Sequence, residues 1–142
     1  AWAPRTELRA TYELLKESRE GSGMIGAFDF TCLRHVFVAD SDSDAKRLGS
    51  DYVEYYMNST ALFRPIGDHE RDEMVFGGVE TCIDKIESLS ADTGVNNLIC
   101  WMNFGGMPQE LVKRSMELFA TEVMPNLRDD IPLTELPSAV AE

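Results

Sequence analysis

The chain has 142 residues and a formal charge of −12, from 25 acidic against 13 basic side chains. That length suits one domain, and the negative field repels phosphate backbones and anionic headgroups, which disfavours nucleic-acid and membrane-surface partners. With 44% hydrophobic and 27% charged residues, and no apolar run approaching the roughly 18 residues of a membrane span, the composition is that of a soluble globular protein.

The sequence opens "AWAPRTELRA" with neither an initiating methionine nor an apolar signal segment, so the start reads as truncated. Pro4 suits a first helical position, and Leu8, Tyr12 and Leu15 recur at helical spacing until Gly21 and Gly23, predicting an amphipathic helix of about five turns. In "TCLRHVFVAD", Leu33, Val36 and Val38 stand among β-branched and apolar neighbours, which predicts a buried strand ending near Asp40. From Asp42 the spacing turns helical through Leu48, Tyr52, Tyr55 and Tyr56, with Ser41 and Asp44 resembling a capping pair. "RPIGDHERDEM" is too charged to bury and reads as a loop; a third helix begins near Gly78 and carries Val79, Ile83, Ile86 and Leu89.

"TGVNNLICWMN" predicts a second strand, after which Pro108 opens a helix with an apolar stripe of Val112, Met116, Phe119 and Val123, ending around Pro125 and Asn126. The last residues, 129–142, hold few anchors and read as an extended tail behind a domain of residues 1–128. Cys32, Cys82 and Cys100 are odd in number, lack C-x-x-C spacing and sit among apolar neighbours. That pattern suits buried reduced thiols and a cytoplasmic location.

Two strands, each followed by helix, imply an α/β fold with parallel pairing through right-handed crossovers. Two parallel strands alone make a poor sheet, because such sheets are normally covered on both faces and built from more strands.

Several acidic and histidine features invite a metal reading. Asp40, Asp42 and Asp44 alternate like the start of a calcium loop, but Ala45 and Asp51 stand where that loop needs Gly and Glu, and the run leaves a strand rather than a helix. Asp42 and Asp44 are explained by the helix they open. His35, beside Val36 and Phe37, reads as a satisfied core histidine near the beginning of its strand, and His69 as a solvated loop residue. Neither has a second histidine at ligand spacing, so no metal site is expected. Gly21, Gly23 and Gly26 follow a helix, the wrong context for a dinucleotide fingerprint.

The stretch from Val75 to Arg128, above all "GGMPQELVKRSMELFATEVMPNL", resembles the C-terminal end of the bacterial luciferase-like, flavin-dependent monooxygenases. The shared order is Val38-Ala39-Asp40 at a strand end, Asp44-Ala45 opening a helix and Gly77 to Thr81 starting another. Leu98 to Trp101 then form the last strand, Gly105 to Pro108 a turn, and Glu122 to Pro125 close the final helix. Where many relatives have Gly-Ser-Pro-Glu-Thr, this chain has Gly77-Gly78-Val79-Glu80-Thr81, which trades a serine cap for a glycine one.

The resemblance runs from Arg5 to Arg128 and implies the C-terminal part of a (β/α)8 TIM barrel, two parallel strands with about four helices, incomplete on its own. It implies an enzyme that takes reduced FMN from a separate flavin reductase and uses O2 to oxidise an organic substrate of the aldehyde or hydrocarbon class. The family's catalytic histidine lies on earlier strands, so no catalytic residue is expected here and FMN binding by this chain alone is not expected. Trp101, Asn103, Phe104 and Gly105 would face cofactor or substrate, because barrel sites lie at the C-terminal ends of strands. A strand-to-helix turn needing Asn and glycines for its backbone is an equally good account of them. The implied partner is the missing N-terminal part of the barrel or a second copy in a homo-oligomer. The alternative is a non-catalytic half-barrel module that dimerises or supports a catalytic subunit.

Overall fold

The computed structural model describes residues 3–24, 26–59 and 72–127. Helix α1 (Arg5–Gly21) starts one residue after Pro4, whose carbonyl accepts the Glu7 and Leu8 amides. Of its expected stripe only Leu8 is buried, and Leu14 and Leu15 are exposed. Strand β1 (Thr31–Val38) follows, then α2 (Asp42–Ser59), β2 (Val75–Gly77), α3 (Val79–Thr93) and β3 (Asn97–Trp101). Helix α4 (Gln109–Leu118) runs on through a π-helical turn (Phe119–Val123) into a last α-helical turn (Met124–Leu127).

The fold is α/β with an open parallel sheet, ordered β2-β1-β3. Three strands stand among the described residues where two are expected. The additional one, β2, has three residues behind an acidic stretch, too few to establish an alternating pattern. It pairs with the C-terminal half of β1 (Val36↔Val75 to Val38↔Gly77), whereas β3 pairs with the N-terminal part (Thr31↔Asn97 to His35↔Trp101).

The chain steps from β1 to β2 on one side and then crosses back over β1 to β3. Right-handed crossovers in opposite directions put their helices on opposite faces. The packing agrees: Phe37 and Ala39 meet Ala45, Val53 and Met57 of α2, while Val36 and Val38 meet Cys82 of α3 and Val123. Gly49 lets α2 lie close to the sheet, since a Cβ there would stand 3.0 Å from the Phe76 ring and 3.1 Å from Phe37. Tyr55, expected on the packed face of α2, is exposed. In α4 the buried position is Ser115 rather than the expected Met116, which is exposed. Beyond the end of β3 the Val38 amide has no strand to pair with, and the Ser115 hydroxyl accepts it at 2.9 Å.

Caps follow a similar economy. The Ser41 hydroxyl accepts the Asp44 amide at 3.2 Å and donates to the Asp44 carboxylate at 2.9 Å, so this pair caps α2 as expected. Asp42 does something else: its carboxylate accepts the Gly78 amide at 2.7 Å and the Thr81 hydroxyl at 3.0 Å. An acidic side chain from α2 thus meets the start of α3, accepting the amide of its N-cap residue and placing negative charge at the helix's positive end. These two hydrogen bonds hold the Asp42 carboxyl below its usual pKa.

Arg34 points to the α1–α3 side and is fully buried. Its guanidinium donates to the carbonyls of Ala3 (2.8 Å) and Leu33 (3.0 Å) and pairs with the buried Glu73 at 3.4 Å. Glu73 also meets Arg5 at 3.4 Å, and Arg5 reaches Asp92 at 2.6 Å and Ser88 at 2.8 Å. The network ties α1 to β1, to the approach of β2 and to α3. Breaking a buried pair from one side costs more than replacing both partners with apolar groups. Glu73→Ala is therefore expected to destabilise the chain by about 3–5 kcal/mol in urea unfolding, with Arg34→Met/Glu73→Leu much closer to wild type.

Candidate functional site

Strand β3 is the edge of the described sheet on the side away from β2. Its even-numbered residues face the helices: Leu98 packs with Leu89 and Val95, and Cys100 and Met102 with Cys82 and Val123. Its odd-numbered residues face the other way, and there Ile99 is 52% and Trp101 37% exposed. Leu33, registered opposite Ile99, is half-buried on the same face. An apolar strip thus lies open along the N-terminal half of the sheet, on the face that α2 covers only farther along.

The four sequence-predicted residues do not share one environment. Trp101 and Asn103 lie at the surface, with the indole N–H donating to the Asn103 carbonyl at 2.7 Å. Phe104 is buried, stacked on Phe76 at 5.7 Å. Gly105, at φ +63°, presses against the Tyr52 carbonyl oxygen of α2, where any side chain would collide. The Met107 amide returns to the Phe104 carbonyl at 3.2 Å, closing a turn with Gly106 at φ +69°. Backbone requirements therefore account for Gly105 and packing for Phe104; Trp101 and Asn103 present their side of the turn to solvent.

The residue that sequence reasoning misplaced is His35. Because β1 begins deep beside β3, the register sets His35 directly opposite Trp101, the final residue of β3, and not near the start of the sheet. The residue is buried, with 3% of it exposed. The ring stacks on Trp101 at 5.2 Å, meets the edge of Phe104 at 5.3 Å and lies 5.9 Å from the Tyr56 ring. Among the described residues neither ring nitrogen has a hydrogen-bond partner, so the expectation of a satisfied core histidine is not met there. A buried polar group left so costs about 1–3 kcal/mol and is uncommon in native structures. Burial also pushes the His35 pKa down to about 4, leaving the ring neutral at pH 7. The available signal was its odd-numbered place in β1, two residues before Phe37 on the same face.

Just past the C-terminal end of β1, Asp40 pairs with Arg114 at 2.8 Å on the surface. A cleft of about 480 Å³ between α2, β2 and α3 is lined by Asp42, Lys46, Asp72, Phe76 and Lys85. Lys85 donates to the Met74 carbonyl at 2.8 Å, and burial lowers its pKa. Cys32, Cys82 and Cys100 are free; burial raises the pKa of all three, to about 12 for Cys82 and about 11 for Cys100, which keeps them as thiols. His69 and the expected tail lie outside the described residues. Among the described residues no helix is long and apolar enough to cross a membrane.

Solved structures share this fold. The monooxygenase RslO1 from Streptomyces bottropensis superposes with a TM-score of 0.77 at 20% identity, covering 89% of this chain and 40% of its own. The oxygenating constituent of 3,6-diketocamphane monooxygenase from the CAM plasmid of Pseudomonas putida, a type II Baeyer–Villiger monooxygenase in complex with FMN, gives 0.73 at 19% identity. There the match covers 89% of this chain and 42% of the other. Neither a protein-family model nor a curated protein matches the sequence. The expected fold is thus borne out: the chain folds as a portion of these monooxygenases and spans 40–42% of their length.

The buried imidazole makes stability depend on pH with a definite sign. Its folded pKa of about 4 lies below the ordinary histidine value of 6.5, so its contribution is present above pH 6.5 and is lost as pH falls towards 4. Wild type should lose about 3 kcal/mol relative to His35→Phe between pH 7 and pH 4. Parallel urea titrations of the two proteins check this, since shifts at Asp42 and Asp44 cancel in the difference.

Proposed function

We propose that this chain is the C-terminal portion of a luciferase-like, FMN-dependent monooxygenase that oxidises an organic substrate with O2. The observation that carries the reading is the asymmetric match: 89% of this chain lies within the fold of two monooxygenases, yet it spans 40–42% of theirs. The open features of the sheet support it. Among the described residues β3 has a free edge, Ile99 and Trp101 are exposed on one face, and a groove of about 510 Å³ on the other is lined by Leu98, Cys100, Phe119, Met124 and Leu127. In a (β/α) barrel a neighbouring strand would pair with that edge, its helix would fill the groove, and the side chains of the remaining strands would cover Ile99 and Trp101 from inside.

FMN, when bound, supplies the activation of oxygen, and one of the similar structures holds it. The residues here fit such a ligand in a limited way: the Trp101 indole offers a flat wall, Asn103 an amide, and His35 two nitrogens in need of a partner. Their part is to orient a ring system and exclude water from one side of it. Reduced flavin would come from a separate reductase, and the substrate belongs to the aldehyde or hydrocarbon class.

Oxidised FMN titrated into the isolated chain should bind weakly or not at all by fluorescence, whereas the completed barrel should bind it at micromolar concentration. Micromolar binding by the isolated monomer contradicts the division of the site, and no binding by the completed barrel contradicts the flavin reading.

A further inference from the structure

His35 occupies a place where a phenyl ring would serve packing better. Three aromatic side chains enclose it, Trp101, Phe104 and Tyr56, and the remaining neighbours in β1 are Arg34 and Val36, whose side chains face the opposite side of the sheet. Neither nitrogen has a hydrogen-bond partner among the described residues. An imidazole gains nothing over phenyl in a dry aromatic box, so its polar atoms point to a group that the described residues do not supply. The direction from which such a group would come is set by the register. His35 and Trp101 are a directly opposed pair on the sheet's open face, level with the C-terminal end of β3. The indole stacks over the imidazole on that face, held by its hydrogen bond to the Asn103 carbonyl at 2.7 Å and by an edge contact with the Tyr56 ring at 5.3 Å. Turning the indole outwards, at the loss of that bond and of the Tyr56 contact, would open the stacked face of the imidazole.

We infer that His35 is a ligand-contacting residue, whose imidazole N–H donates a hydrogen bond to a carbonyl oxygen of a ring-shaped organic ligand lying against Trp101. The inference rests on the flavin-monooxygenase reading for the identity of that ligand. A neutral donor among aromatic walls selects an uncharged acceptor on an apolar body rather than a carboxylate or phosphate. Two sources offer the same chemistry: a carbonyl of the flavin ring, or the carbonyl of an organic substrate.

The test uses the completed barrel with wild type, His35→Phe and His35→Gln, and two probes given separately: oxidised FMN and cyclohexanecarbaldehyde. His35→Phe should melt at or above the wild-type temperature at pH 7 and bind one probe at least about tenfold more weakly. His35→Gln, which keeps an N–H donor, should stay within about threefold of wild type for that probe. The probe that loses affinity identifies the source of the carbonyl. Equal affinity of wild type and His35→Phe for both probes overturns the inference, as does wild type binding neither. So does a His35→Phe protein that melts well below wild type, since the imidazole is then held within the protein. If wild type binds cyclohexanecarbaldehyde through His35 and does not bind FMN, the flavin reading fails and this inference stands.

Discussion

β1 is hydrogen-bonded to a parallel neighbour along both edges, and a strand in that position must be covered on both faces. On one face the cover is complete. α1 and α3 close over Cys32, Arg34, Val36 and Val38, with Ser115 taking the Val38 amide that outruns β3. On the other face α2 and the Phe104–Met107 turn close over Phe37 and Ala39, and the cover stops there. Leu33, Ile99 and Trp101 continue the same face without a lid. The buried Arg34–Glu73 pair and the Asp42 contact with the start of α3 fasten the covered side. The uncovered side is where a further layer of protein or a ligand has room.

Much of this architecture was legible before the structure, because its signals are local. Pro4 and Pro108 mark helix starts, Ser41 and Asp44 a cap, and β-branched runs the two longer strands. What escaped depends on partners distant in sequence. β2 is three residues long and exists as a strand through pairing with Val36–Val38. Asp42 looks like part of its own helix start, and only the folded chain brings it 36 residues along to Gly78. Met116 and Ser115 exchange roles because an unpaired strand amide needs an oxygen more than the core needs a thioether.

The candidate site shows the same division. "WMNFGG" advertises a turn, and the turn is there, with Gly105 fitted against the Tyr52 carbonyl. His35 was discounted because its position within β1 suggests the wrong end of a barrel. Register decides otherwise, since the strand opposite begins with Asn97 and has already ended at Trp101 when it reaches His35. Strand position alone says little about depth in a sheet whose strands differ in length. The histidine, together with Trp101 and Asn103, then forms the polar portion of a face that is otherwise apolar.

On the barrel reading, that face and the free edge of β3 are internal in the complete protein. Amide hydrogen exchange on β3 tests this most directly, comparing the isolated chain with the completed barrel. The amides of Asn97–Trp101 that point away from β1 should exchange within seconds in the isolated chain and become as slow as those of β1 in the complete protein. Fast exchange at those amides in both would contradict the reading, leaving β3 a true edge and its Ile99–Trp101 face a surface.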